Sequence, residues 1–308
     1  MKKRSLDLLV ELCESADIAA TFESPGIILT YKTARGFAEA GRSVARAVAG
    51  GVPLRVLDAG ELDELEPKTR FDIAGALYNA EGAYLRVPEF IHEFARMLRA
   101  LGVDIREHTA VTDFEVGAGT IRRLHTTSGE FRGRDVVLAA GAWSTECARM
   151  AGIELLLQPI KGYSVTVDMP PGGPGRPVLL SEGRIALVPL GDRLRIGGTL
   201  ELTGMHTTVS ARRLDGMLRT VRDYLPDWAE TPIHETWSGL RPATPDGLPL
   251  IGRAGPRNLL VAAGYGHIGM GLAPAAGELV AHLLAGTQPV LDPIPLRPDR
   301  FGRTPLKR

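Results

Sequence analysis

The chain has 308 residues, enough for two ordinary domains or one large one. Its 36 Lys plus Arg balance 36 Asp plus Glu, which argues against a nucleic-acid binder, since counterion release needs a clustered cationic excess. Hydrophobic residues at 44% and charged residues at 23% exclude a disordered chain, 36 glycines without a triplet period exclude collagen, and two cysteines, Cys13 and Cys147, are too few for a disulfide framework or a Cys-rich zinc site and fit a reducing compartment.

The basic start, Met1 to Arg4, does not open a signal peptide, because Asp7, Glu11 and Glu14 interrupt the apolar stretch. It predicts an amphipathic helix with Leu6, Leu9, Val10 and Cys13 on one face. Residues 27–31 read as a short strand. Residues 34–48 read as a helix, with Phe37, Ala40, Val44, Ala45 and Val48 on its apolar side, stopping at Gly50-Gly51. A strand at 54–57 is followed by Asp58 to Glu61, which opens a brief helix ended by Pro67. Pro88 suits the first turn of a helix over 88–101 that would bury Phe90, Ile91, Phe94, Met97, Leu98 and Leu101. Gly102 caps it, and residues 103–105 begin a strand.

Residues 111–116 and 121–127 alternate as a meander that turns at Ser128-Gly129. Residues 136–140 form a continuous apolar run, the pattern of a strand covered on both faces, and end at Gly141. Further strands are expected at 163–167, 185–188 and 194–196, with a Pro- and Gly-rich loop at 170–175 and a helix at 211–225. The tail from Gln288 carries five prolines and reads as a surface wrap. Residues 259–277 lack formal charge and are nominally long enough for a bilayer. Five glycines, Pro274 and His267 instead make them a strand, a glycine loop and a helix start. A soluble chain is expected, cytoplasmic or peripheral on the inner face of the plasma membrane.

Three segments carry chemistry. Gly264 to Gly269 is a literal GxGxxG between an apolar run and a helical pattern at 275–284. No second strand with an acidic residue follows about 20 residues later, so it is not the first βαβ unit of a Rossmann domain. Alone, such a turn serves helix packing more often than a ligand; if it serves a ligand, its glycines admit a flat or anionic group close to backbone at a helix start. The second is Trp237 to Gly252, where Arg241 in a rigid, turn-rich segment could fix a carboxylate bidentately or simply be a surface arginine. The third is the glycine turn at Ala140-Gly141, at the carboxyl edge of a buried strand. There is no GxSxG, Walker A or HExxH, and the seven histidines lack metal-ligand spacing, so no metal is expected.

In this order the segments resemble the D-amino acid oxidase superfamily of flavoenzymes, in its D-amino acid dehydrogenase small-subunit and glycine oxidase branch. The stretches 159–164, 184–198, 237–252 and 258–286 carry the likeness. The resemblance implies a mixed α/β (α+β) fold: an incomplete FAD-binding Rossmann-like domain interleaved with an antiparallel-sheet substrate domain. The flavin side would take 87–145 and 237–287, the substrate side 1–86 and 146–236, and 288–308 would be the tail. Family members open with a strand, GxGxxG, a helix and a second strand ending in Glu. This sequence shows no such opening, so that unit is expected to be absent.

The resemblance also implies site residues. Val111 would meet the adenine side of FAD, and Ala140 and Gly141 would lie near its pyrophosphate and ribityl region. Gly264, Tyr265, Gly266, His267, Ile268, Gly269 and Met270 would form the loop over the flavin. Arg241 would grip the substrate carboxylate, with Tyr163 and His267 as further substrate contacts and His267 beside Arg241 in the catalytic set. Residues 237–252 hold no cysteine, so FAD would be non-covalent. The implied activity is oxidation of amino acids, D-amino acids or glycine-like amines, to imino acids by hydride transfer to flavin N5. The competing reading is a truncated or split-subunit remnant that acts only with a partner, such as a separate N-terminal FAD-binding subunit; a homo-oligomer is the other assembly expected.

Overall fold

The computed structural model describes residues 1–15, 18 and 21–302. Helix α1 (Lys2–Ser15) leads to β1 (Phe22–Glu23) and β2 (Ile27–Tyr31). Then come α2 (Ala34–Ala49), β3 (Leu54–Leu57), α3 (Ala59–Leu65), β4 (Gly75–Asn79), β5 (Tyr84–Leu85) and α4 (Val87–Ala100). The meander is β6 (Val111–Gly117), β7 (Thr120–Thr126) and β8 (Gly129–Phe131). Strand β9 (Val136–Leu138) runs into a 3-10 turn at Gly141–Trp143 and α5 (Ser144–Met150). Strands β10 (Gln158–Asp168), β11 (Val178–Leu180), β12 (Ile185–Leu190) and β13 (Arg193–Glu201) precede α6 (Ala211–Tyr224). The chain closes with β14 (Ile233–Ala243), β15 (Leu250–Arg253), β16 (Leu259–Ala263), a 3-10 turn at Gly266–Ile268 and α7 (Gly269–Ala285).

Local chemistry explains several boundaries. The Thr33 hydroxyl accepts the Gly36 N–H at 3.0 Å at the start of α2. Asp58 and Glu61 form a reciprocal capping box on α3. Helix α4 begins with Pro88 in its first turn and carries Phe90 stacked on Phe94 at 5.7 Å. Its expected buried face is only partly covered: Phe90 is buried, whereas Ile91 and Leu101 are exposed. Residues 103–105 are not a strand, because Val103 closes the helix end by donating to the Leu98 carbonyl and no strand lies beside it among the described residues.

The eight-stranded sheet has the order β14-β10-β13-β12-β11-β2-β4-β3. Only β11 and β2 are parallel; every other neighbouring pair is antiparallel. One face of β10, β13 and β12 packs Tyr163, Val165, Ile196 and Leu187 against Leu214, Met217 and Val221 of α6. A smaller sheet, β15-β16-β9, pairs β16 parallel with β9, so both strands deliver their chain at the same edge. The β6-β7-β8 meander closes the second core through Phe114 and Ile121 against Val136, Leu138 and Val261.

Several elements depart from the expected pattern. Strand β9 is the edge of its sheet and exposes Val137, so it is not covered on both faces. Strand β14 belongs to the large sheet, whereas the division that the resemblance implies groups 237–243 with 237–287. Ala148 and Ala151 join the second core, whereas that division groups 146–236 with the other side. Helix α1 docks on α7 across that division: Arg4 pairs with Glu278 at 2.5 Å, and the buried Ser5 hydroxyl accepts the Ala275 N–H at 3.3 Å. Residues 266–285 are long and apolar enough to cross a membrane by length and composition alone. In this fold they pack on α1, β15 and β16. The tail is not only a wrap, since Leu296 is buried against Ile251 and Leu279.

Candidate active site

Strand β14 forms one edge of the large sheet, which is where Pro242 can sit without breaking a ladder. Arg241 is therefore on a strand, not in the turn-rich segment that the prolines suggested. Its guanidinium crosses β10 above Gly162, whose missing Cβ would coincide with it. It ends at β13, where Nη1 donates to the Thr199 carbonyl at 3.5 Å. Thr199 is a β-branched residue at φ +62°, and the pairing slips there from Lys161↔Glu201 to Tyr163↔Gly198. This bulge turns the carbonyl toward the arginine. Burial pulls the Arg241 guanidinium down from its usual value, and no carboxylate pairs with it among the described residues. An arginine remains charged under these conditions, so a half-buried cation here holds its face ready for an anion.

The expected flavin loop follows β16. Gly264 takes φ +83° and packs so closely that a Cβ would sit 2.8 Å from Thr244 Cγ2 and 2.9 Å from Leu157 Cδ2. Gly266, at φ +56°, faces open space, as does Gly141 at φ +55° after β9. Ala140 and Gly141 lead the first 3-10 turn, and Gly266, His267 and Ile268 form the second. Both turns lie against β14, which brings the two glycine turns and Arg241's strand together. The Ser144 hydroxyl, fully buried just after the first turn, has no partner in the structure. Open space over left-handed glycines, beside an orphaned hydroxyl, suits the close approach of a planar, phosphate-bearing cofactor.

The remaining expected residues separate. Tyr265 packs beside Ile251 and Leu279, and burial pushes its hydroxyl up to about 12. Met270 packs beside Leu9 and Phe90, so its side chain serves the α1–α4 contact. Gly269 begins α7, whose helix starts six residues before the expected 275, and His267 is exposed. Val111 starts β6 and packs against the second core. Tyr163 does not join Arg241. It follows Gly162 on β10 and so faces the α6 core, with its hydroxyl donating to Glu201 at 2.5 Å and 1% of its surface exposed. Sequence reasoning missed the roles of Gly162 and Thr199. A glycine inside a strand pattern is the signal that points to the first.

The family model described as DAO, FAD dependent oxidoreductase, matches residues 1–283. The D-amino acid dehydrogenase of Agrobacterium fabrum is 30% identical over 97% of this chain and 72% of its own length. The glycine oxidase of Pseudomonas putida is 32% identical over 81% of this chain and 69% of its own. In structure, glycine oxidase from Geobacillus kaustophilus superposes with a TM-score of 0.89 at 30% identity, covering 96% of this chain and 81% of that one. The expected lack of an opening nucleotide-binding unit is not borne out by these comparisons. The chain belongs to the DAO family of FAD-dependent oxidoreductases.

Proposed function

We propose that this protein oxidises α-amino acids, D-amino acids or glycine-like amines, to imino acids with a non-covalently held FAD, and that Arg241 binds the substrate carboxylate. The observation that carries the reading is Arg241 itself: half-buried, laid over Gly162 and, among the described residues, matched by a single long carbonyl contact instead of a carboxylate. The names of the relatives, D-amino acid dehydrogenase and glycine oxidase, point to the same substrate class.

The two glycine turns, Ala140-Gly141 and Gly264 to Met270, would hold the cofactor, with Val111 on its adenine side. When bound, FAD supplies the two-electron acceptor that takes a hydride from the substrate Cα at N5. The protein's own work is positioning. Arg241 offers two parallel N–H groups to the carboxylate, which fixes both its place and its plane. Burial of the guanidinium removes competing water and strengthens that pairing. His267, exposed on the same turn, is a second substrate contact in this reading. The imino acid is released and hydrolysed by water without a further side chain, and an external two-electron acceptor must take the electrons from the cofactor before the next turnover.

The test is anaerobic mixing of the FAD-loaded protein with a panel of amino acids and their decarboxylated amines. Bleaching of the flavin by amino acids, and much slower bleaching by the amines, is expected. A flavin that no amino acid bleaches contradicts the reading.

A further inference from the structure

The face of the large sheet that carries Arg241 has a second arginine. Residues of β10 alternate between the α6 core, which takes Tyr163 and Val165, and this face, which takes Gly162, Ser164 and Thr166. The cross-strand partners sort the same way. Thr166 lies between Arg195 of β13 and Glu235 of β14, Ser164 between Gly197 and Trp237, and Gly162 opposite Gly239. The indole of Trp237 folds back over Gly239 and walls the sheet edge. A Cβ on Gly197 would meet nothing nearer than the Tyr163 carbonyl at 4.0 Å. Arg241 covers Gly162 and Trp237 covers Gly239, so the open part of this face lies over Gly197.

Two guanidinium groups flank this opening. Arg241 lies over Gly162, and Arg195 Nη2 donates to the Ser164 hydroxyl at 2.9 Å. Residues two apart on one strand face are about 6–7 Å apart, so the guanidinium groups are separated by roughly the length of a short side chain. Arg195 Nη1 also reaches Glu235 at 3.4 Å, and Glu235 in turn accepts from the Thr166 hydroxyl at 3.3 Å. These contacts use two of the five N–H donors of Arg195 and fix its plane, leaving the others for a ligand.

We propose that Arg195 is a second anchoring residue that receives the end of the substrate side chain, selecting amino acids whose side chain ends in an acceptor oxygen, the acidic amino acids or their amides. The inference rests on the carboxylate-binding role of Arg241, which sets the substrate's other end. An aliphatic side chain of equal length would cut the part-exposed Arg195 donors off from water without matching them, and a donor left unmatched on burial is costly.

Calorimetric titration of the FAD-loaded protein with glutarate and with pentanoate reads this without turnover. Glutarate is expected to bind about tenfold more tightly, and the advantage to fall below about threefold in Arg195→Leu, which loses the charge-assisted contact. In turnover, the ratio of kcat/KM for glutamate over norvaline, measured with both enantiomers, should collapse in the variant. Glutamine matching glutamate assigns the preference to the acceptor oxygen; glutamate exceeding it assigns it to charge. The wild-type selectivity stands on its own should the variant not fold. Equal binding of glutarate and pentanoate to the wild type, or an equal loss of both in Arg195→Leu, overturns the inference while leaving Arg241's role intact. If neither carboxylate binds, the carboxylate-binding role of Arg241 fails, and this inference fails with it.

Discussion

Lys161 and Gly162 are neighbours on β10, yet they face opposite sides of one sheet with opposite electrostatic economies. On the α6 side, Lys161 is 5% exposed and fully engaged: its ammonium meets Glu201 at 3.1 Å, donates to the Thr208 carbonyl at 3.1 Å and lies over the Tyr163 ring. On the other side, Arg241 makes one hydrogen bond, at 3.5 Å, and meets no counter-charge among the described residues. Both are cations on the same three strands. The matched one is structural, because its network is closed within the protein. The unmatched one is the functional candidate, because desolvation without a partner is sustained only where a ligand completes it.

The sharpest way to break the comparison is to fill the space beneath Arg241. Gly162→Ala places a methyl where the guanidinium lies. The displaced atoms are the far end of a flexible side chain, so folding should be nearly unaffected and the melting temperature should change little. Loss of the oriented pairing should cost about 2–4 kcal/mol of transition-state binding, roughly 30- to 1000-fold in kcat/KM for amino acids. Steady-state kinetics beside a thermal melt checks both halves. A variant that stays active with Arg241 displaced would detach the glycine from the site.

The opposite face answers differently. Glu201→Leu leaves Lys161 buried without its carboxylate and should lower the melting temperature by several degrees, whereas the double variant Lys161→Met/Glu201→Leu should recover much of the loss. Its kcat/KM should follow the amount of folded protein. Hydrogen bonds from Tyr163 and Lys161 hold the Glu201 carboxyl below its usual range, and Tyr163 and Glu201 raise Lys161. The carboxyl's share of stability is present above the ordinary value of about 4.3 and disappears as pH falls through its lowered value. The lysine's share is present below about 10.4 and disappears as pH rises through its raised value. Stability from this network is therefore flat across neutral pH. Melts from pH 3 to 11 that show a slope near pH 7 tied to Glu201 would contradict it.

A smaller effect is expected at the turn that follows β14. Arg300 from the tail pairs with Asp246 at 2.8 Å and donates to the Leu248 and Pro249 carbonyls, holding the Asp246 carboxyl well below the usual carboxylate range. Arg300→Met should cost about 1–2 kcal/mol, the low end for charge-assisted bonds because Asp246 is partly solvent-screened. The stabilisation is fully present above the ordinary Asp value of about 3.9 and shrinks below it, disappearing as pH falls through the lowered value of the carboxyl. Urea denaturation at pH 7 and at pH 3 compares the two proteins directly; equal penalties at both would remove the ion pair from the account.

What could be read in the sequence depended on whether a feature is local. The glycine loop after 259–263 was legible because an apolar run, three glycines and a helical pattern sit side by side, and the structure pairs that strand with 136–138. Strand β14 was hidden by Pro242, whose tolerance depends on being at a sheet edge, and an edge is a property of the whole sheet. Arg241 was found from its segment, but its cradle was not. Gly162 and Thr199 meet Arg241 only through cross-strand register, which no local pattern encodes. Tyr163 was assigned to the substrate because it adjoins the right glycine, and strand alternation sends it to the other face. The facing of Arg195 and Trp237 toward Arg241 is hidden in the sequence for the same reason, because only the register of β10 with β13 and β14 brings them to one face.

The central claim, that Arg241 holds a carboxylate, is tested most directly by Arg241→Lys with paired substrates. Lysine keeps the charge and loses the planar fork. With the FAD-loaded variant, kcat/KM for an amino acid should fall roughly 30- to 1000-fold, the cost of about 2–4 kcal/mol. The value for the corresponding decarboxylated amine should change far less, because that substrate has no carboxylate to lose, and flavin content should stay near that of the wild type. Equal penalties for acid and amine, or none for the acid, would take Arg241 out of substrate binding.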